Sequence, residues 1–408
     1  MPQTNRGIVY SDELLKQAVN VALYYGFMPI SRIENEVART QTEKLPAAAN
    51  RKMYISRSAL DPYNAELHAA LRTYVEGSFE HCSAKPVLFY RSNIERGKKI
   101  GKDEPVFLGL QAIGTRKSIA EALVMKVALD ALRDMRVDDI CIHINTVGDK
   151  DSVNRYSREL SNHFRKYIED LPASAQALLR KDPLQCLRYL HKKQHQLYDT
   201  APQSMEFLSE PSRRHLREIL EYLETIDVPY VIDKSLVGTS DYRPETLFEI
   251  RRFNDEDYDL TNNTDPTVYA RGCRYDDLSR KMFRTHIPAA GIVLEAKKRG
   301  GNLSDILNPK RLRQPKVYFI QFGFDAKLRS LAVIEALRKA HVPIYQSLAN
   351  DRLTHQLEMA EKLSIPYTII MGQKEVLDNT VIVRNMDTRS QEIVPISALP
   401  TFLKSIKI

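Results

Sequence analysis

Glycine-bearing basic loops and paired histidines are the first places where chemistry could sit in this 408-residue chain. Gly97-Lys-Lys-Ile-Gly101-Lys102-Asp103 sets glycines beside lysines, as a phosphate cradle would. Its spacing is wrong for a phosphate-binding loop, and Asp103 stands where a Ser or Thr hydroxyl should reach magnesium. The run therefore reads as a charged, exposed hairpin. His191 and His195 lie four apart on a helix without acidic or cysteine company, so they read as a solvated face rather than metal ligands. Cys82, Cys141, Cys186 and Cys273 are scattered and never form a CxxC, which argues against a zinc site or a disulfide framework. HExxH, GxSxG and a GxGxxG after a strand are all missing from the sequence. Any chemistry must come from residues that the fold gathers from distant segments.

Those residues need elements to hold them. Hydrophobic residues make up 43% and charged residues 27%, enough apolar material for folded cores in two to three domains. Disorder, collagen and a coiled-coil rod are excluded. No apolar run is long enough to span a membrane, and Met1 to Gly7 has no basic-then-apolar leader, so a soluble, cytoplasmic protein with no membrane partner is expected. Sixty Lys and Arg against fifty-two Asp and Glu give a net charge of +8, which favours a polyanionic partner.

Leu14, Leu15, Val19, Ala22 and Leu23 fall at helical spacing within Ser11–Gly26, with Gly26 as the stop, and an extended run Phe27–Ile33 follows. A helix over Ser118–Met135 leads to a strand Ile140–Asn145. Val153 to Leu223 reads as an inserted helical module, and strands return at Tyr230–Asp233, Thr246–Ile250 and Ile292–Leu294. A mixed antiparallel sheet flanked by helices fits this order. Lys297–Lys316 is basic, carries Gly and Pro, and reads as a linker. Beyond it, strands Val317–Phe322, Ile344–Tyr345, Tyr367–Met371 and Thr380–Arg384 alternate with helices Ala326–Ala340, Leu353–Leu363 and a terminal one near Ile396–Lys404. That alternation predicts a compact α/β domain with a largely parallel sheet.

The run Met371–Ile396 carries Gly372, Glu375, Thr380, Val381, Val383, Arg384, Thr388, Gln391 and Val394 at the places of a known pattern. It resembles the anticodon-binding domain of histidyl-, glycyl-, threonyl- and prolyl-tRNA synthetases, and the resemblance covers about residues 315–408. Upstream, Tyr25–Glu34 resembles the class II motif 1, a dimerisation element. Ile144–Asp149 resembles the "NSxGD" turn of histidyl-tRNA synthetases. Asp182-Pro183-Leu184, Asp199–Pro202 and Ser212–Ile219 follow that family's helical insertion. Leu236–Glu249 resembles its first histidine signature, Gly272–Leu278 the second, and Pro288–Gly291 opens motif 3. The resemblance implies an α+β class: a class II antiparallel core over 1–300 with a helical insertion at about 153–225, a basic linker at 301–314, and an anticodon-binding domain at 315–408.

It also implies where ligands sit. Gln111, Asp241, Tyr242, Arg274 and Tyr275 occupy substrate-pocket positions, and Arg96 and Lys298 fall toward ATP. Lys374, Arg384 and Arg389 would meet tRNA, with Lys310, Arg311 and Arg313 adding unspecific phosphate contacts. No metal ligands are assigned. Adenylate formation brings a carboxylate against a phosphate, so a working site must supply fixed cations. Here the match breaks at four sites. Gly238 replaces the Arg of "LVRGLDYY". Glu295-Ala-Lys-Lys298 replaces "GLER", so a planar guanidinium becomes an ammonium. Asp61-Pro-Tyr-Asn-Ala65 replaces "RPEGT", whose Glu holds the substrate amino group. Motif 2 keeps only Gln111 clearly, although a register shift of one or two residues brings Arg91, Arg96 or Arg299 into play. The expectation is a homodimeric, tRNA-binding, catalytically impaired histidyl-tRNA synthetase-like protein. The alternatives are an active histidine–tRNA ligase, which would need ATP and magnesium, or a regulatory subunit like that of ATP phosphoribosyltransferase.

Overall fold

The computed structural model describes residues 12–40, 62–82, 86–93, 100–238, 244–252, 268–301, 304–307, 315–348 and 352–406. Strands that alternate apolar and polar residues need one covered face. Met28–Pro29 (β1), Val87–Ser92 (β2), Ile100–Ile113 (β3), Ile140–Thr146 (β4), Tyr230–Ile232 (β5), Thr246–Arg252 (β6), Val268–Arg274 (β7) and Ala289–Gly301 (β8) form one sheet, ordered β1-β2-β3-β8-β7-β6-β4-β5, although not every one of them alternates. The outer pairs β1·β2 and β4·β5 are parallel and every pair between them is antiparallel.

One face of this sheet is closed by helix α4 (Ile119–Asp134), which follows α1 (Asp12–Tyr24), α2 (Ile30–Thr40) and α3 (Pro62–Glu76). Apolar residues go all round α4, from Ile119 to Leu132, and a helix of that kind is stable only when wholly buried. Ile142, Ile144, Phe248, Ile250, Ile292 and Leu294 pack on it from the sheet, and Leu15, Val19 and Ala22 of α1 join the same core. Between β4 and β5 come α5 (Lys150–Lys166), α6 (Ala173–Lys181), α7 (Pro183–Lys192) and α8 (Glu210–Thr225). The first three surround their own core of Tyr156, Leu160, Phe164, Leu187 and Leu190. Helix α8 instead gives Leu216, Ile219 and Leu223 to the main core.

After α9 (Asp276–Phe283), β8 and α10 (Ser304–Leu307), a second sheet forms from Val317–Gln321 (β9), Ile344–Gln346 (β10), Tyr367–Met371 (β11), Thr380–Asn385 (β12) and Gln391–Pro395 (β13), ordered β10-β9-β11-β12-β13. Helices α11 (Phe324–Lys339), α12 (Leu353–Lys362), α13 (Gln373–Leu377) and α14 (Leu399–Ser405) flank it. The two sheets do not have separate cores: Phe319, Leu331, Ile334 and Val383 belong to the cluster that holds α1 and α4. A buried charge cluster crosses the same boundary. Lys126 of α4, fully buried, pairs with Asp130 at 2.5 Å and with Glu335 of α11. Tyr25 donates to Asp130 at 2.6 Å, and Arg338 donates to Asp134 at 2.6 Å.

Three expectations need correction. Only Met28–Pro29 of the run Phe27–Ile33 is a strand; Ile30 opens α2, because Ile33 and Val37 bury one face at helical spacing and Pro29 suits a helix start. The basic run from Lys297 is strand as far as Gly301, since β3 pairs with it through Pro105↔Lys297, Lys102↔Arg299 and Ile100↔Gly301. The second sheet is half parallel: β10·β9 and β9·β11 are parallel, but β12 and β13 return as antiparallel neighbours. Residues 97–99 of the charged hairpin and 308–314 of the linker lie outside the described residues, and residues 100–103 of that hairpin open β3.

Candidate functional site

Directly paired residues in an antiparallel sheet point to the same face, so the register places side chains before any contact is measured. On the face away from α4, one row runs Phe89–Gln111–Gly291–Cys273–Leu247–Asn145. The next runs Arg91–Gly109–Val293–Arg271–Glu249–His143. The first row sets Gln111 beside Gly291 among mostly apolar neighbours; the second carries Arg91, Arg271, Glu249 and His143.

Gln111 is fully buried, and Tyr275 donates its hydroxyl to Oε1 at 2.6 Å. Gly291 is required here, because a Cβ would run into that same oxygen. Gln111 Nε2 and Glu66 Oε1 have no hydrogen-bond partner among the described residues, and both face the space above Gly109. Burial pushes the Glu66 carboxyl up, against the pull of Arg91, whose guanidinium lies 2.9 Å away. Burial likewise raises the Tyr275 phenol far above its usual range.

The charged row is fully engaged in ion pairs. Arg271 reaches Glu249 at 3.1 Å and lies over the Tyr63 ring at 4.8 Å. Arg251 bridges Glu249 at 2.7 Å and Asp233 at 2.8 Å, and His143 lies 3.4 Å from Asp233. Tyr63 donates to Glu295 at 3.0 Å. Burial alone would raise the Asp233 carboxyl; bonds from His143 and Ser235 and the Arg251 charge outweigh it and hold it well below the usual range.

Arg274 does not join Gln111, as the resemblance implied. It pairs with Ala290 in the register and so points to the α4 face, where Glu121 accepts from Nε and Nη2 at 2.6 Å each. It is 1% exposed and also bonds the Thr115 and Lys117 carbonyls, so it is a strut. Tyr275 lies one residue past the end of β7, and the turn there carries its ring back to the Gln111 side. Asp241, Tyr242 and Arg96 lie outside the described residues, as do Lys310, Arg311 and Arg313. Lys298 is in β8, with its side chain outside the description. Arg384 and Arg389 share the β12–β13 turn end, whereas Lys374 sits on α13 at the opposite end of β12. Arg251, Arg271, Asp233 and Glu66 were missed as site residues; the strand register places Arg251 and Arg271, and ion pairs bring Asp233 to Arg251 and Glu66 to Arg91.

Other motif residues turn out to hold backbone. Asp149 caps α5, accepting from Ser152 N at 2.9 Å, and its second oxygen takes the Ser209 hydroxyl at 2.7 Å. Gly148, at φ +73°, has Ser152 and Leu208 2.8 Å from where a Cβ would stand. Glu375 accepts from the Gly372 amide at 2.9 Å and closes the start of α13. A cavity of about 1030 Å3 lies behind the sheet between α1 and β10, lined by Val21, Leu88, Ile119, Tyr318, Ile344 and Met359. It contains none of the charged row and is not the site described above.

Residues 316–406 match the anticodon binding domain family. Over 345 residues the chain is 26% identical to histidine–tRNA ligase of Staphylococcus saprophyticus, covering 82% of this chain and 80% of that one. Histidine–tRNA ligase of Lysinibacillus sphaericus is 27% identical over 299 residues, 73% of this chain and 69% of the relative. Among solved structures, apo histidyl-tRNA synthetase of S. aureus aligns over 91% of this chain and 94% of its own, with a TM-score of 0.44 and 21% identity. An ATP phosphoribosyltransferase regulatory subunit/histidyl-tRNA synthetase from Bacillus halodurans aligns over 91% and 99%, with a TM-score of 0.38 and 13% identity. The antiparallel sheet backed by a buried helix, joined to an anticodon-binding domain, makes this a class II synthetase-like chain. Within that class, its sequence relatives make it histidyl-tRNA synthetase-like.

Proposed function

We propose that this protein binds tRNA through its C-terminal domain and no longer joins histidine to ATP. The carrying observation is the ion-pair row on the sheet face away from α4. Adenylate formation needs guanidinium groups aimed at phosphate. Arg91, Arg251 and Arg271 are the described arginines on this face, and each is tied to a carboxylate of the chain itself. Arg91 and Arg251 are 18% and 13% exposed, so turning either toward a nucleotide strands a buried acid, which costs about 3–5 kcal/mol. Among the described residues, Glu66, Asp233, Glu249 and Glu295 outnumber those arginines, which leaves no described surplus of positive charge there for a triphosphate. With Gly238 in place of a family arginine, the loss of even one such contact lowers rate by about 10²–10³.

The ligase reading keeps one observation in its favour: the Gln111–Tyr275 pair and Glu66 still form a buried polar centre over glycine. Under that reading ATP and magnesium are required. The anticodon-binding domain speaks against a regulatory subunit of the phosphoribosyltransferase kind. Arg384 and Arg389 are the proposed tRNA contacts on the second sheet, and the protein is proposed to be a cytoplasmic homodimer through its motif 1 segment. No described helix is long and apolar enough to cross a membrane. Histidine-dependent exchange of pyrophosphate into ATP tests the reading. Background exchange is the expected result; clear exchange that disappears in Gln111→Ala overturns it.

A further inference from the structure

The cavity behind the sheet draws its walls from both halves of the chain. Val21 of α1, Leu88 of β2 and Leu123 of α4 line it from the core, and Ile344 of β10 and Met359 of α12 line it from the C-terminal half. Tyr318 and Tyr345, stacked with ring centroids 5.4 Å apart, form a further part of the wall. Protein interiors are close-packed, with few voids larger than a water molecule. At about 1030 Å3 this space is too large to be packing slack, and it matches the upper range of small-molecule sites, about 300–1,000 Å3. Leu363, at the end of α12, lines it while 42% exposed, so the cavity opens to solvent there.

Several polar groups on the lining are spent within the chain. Tyr24 donates to the Val342 carbonyl at 2.8 Å, and Gln346 donates to the Tyr25 carbonyl at 2.8 Å and accepts from the Leu348 amide at 2.9 Å. Arg338 gives its Nη atoms to Asp134 at 2.6 and 3.3 Å. Two other buried atoms of lining residues have no hydrogen-bond partner among the described residues: Gln17 Oε1, and Arg338 Nε at 3.8 Å from Asp130. An acceptor and a donor left in that state are costly unless an occupant supplies the missing bonds. They stand apart. Gln17 and Tyr24 lie two turns from each other on α1, about 10 Å, and Arg338 sits beside Tyr24. A guanidinium donor bonds most strongly to a carboxylate. Arg32, Lys339 and His341 share the lining with Glu36 and Asp134, and Asp134 is spent on Arg338, so the lining is more cationic than acidic. We infer that the cavity binds an elongated apolar acid of about ten carbons, with its carboxylate on Arg338 and a hydroxyl at its far end donating to Gln17. The site is separate from the charged row, and the inference does not depend on the tRNA-binding reading.

The test titrates the full chain by calorimetry with 10-hydroxydecanoate, decanoate and decyltrimethylammonium, and follows the melting temperature with each. The hydroxy acid should bind once per chain and raise the melting temperature, because it bridges both halves of the fold. Decanoate, which lacks the hydroxyl, should bind about three- to tenfold more weakly. The cationic probe should not bind. Gln17→Leu should abolish the difference between the two acids and leave decanoate affinity unchanged, which a general loss of structure would not do. Leu88→Trp, which fills the cavity, should remove binding of both acids while circular dichroism shows a folded chain. Should Leu88→Trp unfold the chain, the Gln17→Leu comparison decides alone. Failure of both acids to bind, or a cationic probe that binds as tightly as they do, overturns the inference. So does a Leu88→Trp chain that binds the acids as the wild type does. If Leu88→Trp breaks a dimer that the wild type forms in sedimentation, a second copy of the chain occupies the cavity and the small-molecule site is overturned.

Discussion

Arg91 leans on Glu66 at 2.9 Å, and both side chains are more than four-fifths buried. An arginine so placed is held for structure and withheld from a ligand. Glu66→Gln removes the charge but keeps the shape, leaving a buried guanidinium uncompensated. The expected outcome is a loss of about 3 kcal/mol in urea unfolding, with no gain of activity. Glu121 behaves differently. Burial would raise it, but Arg274 and His215 hold it down at about 2. A carboxyl whose folded pKa lies below its unfolded one contributes stability above the unfolded value and loses it as pH falls toward the folded value. Unfolding free energy should therefore drop steeply between about pH 4.5 and about pH 2, and Glu121→Gln should flatten that limb. An unchanged slope in the variant would assign acid sensitivity to other carboxyls, such as Glu335, which Lys126 also holds at about 2.

Elements carried by a clear period were legible before the structure. The strand Ile140–Asn145 and the C-terminal alternation stand where their apolar spacing puts them; the helix over Ser118–Met135, expected to be amphipathic, stands in place but is buried on every side. The site was not legible, for two reasons of geometry. Strands β2 and β3 lack a clean alternation, so Arg91 had no assigned face until its pairing with Gly109 fixed one. One residue at the end of β7 also decides the face: Arg274, the last strand residue, is a strut on the α4 side, while Tyr275 in the turn just beyond it reaches Gln111. Other motif residues proved to serve their elements. Asp149 caps α5 and ties it to Ser209 at the start of α8. Asp149→Ala should cost about 1–2 kcal/mol, read by urea unfolding, with faster amide exchange confined to the first turns of those helices.

Across the whole molecule, one apolar cluster and one buried charge cluster run from α4 into α11. The C-terminal domain is thus part of the fold of the core, and deleting residues 315–408 would uncover that core as well as remove the proposed RNA contact. Lys126→Met tests the coupling. It removes the cation that Asp130 and Glu335 share, leaving Arg338 and Tyr25 beside Asp130 and the exposed Lys339 beside Glu335, and should lower stability by about 3 kcal/mol. Calorimetry should then split one transition into two; a single transition at unchanged temperature would show that the charge cluster does not hold the domains together.

The charged row and the rest of the molecule meet in one quantity, the amount of adenylate formed when full-length chain, histidine, ATP and magnesium are mixed at stoichiometric concentration and quenched. Mass spectrometry of the quenched mixture should find no histidyl-adenylate above a protein-free blank, because each described arginine on that face already faces a carboxylate of its own chain. Adenylate approaching one equivalent per chain would contradict the account.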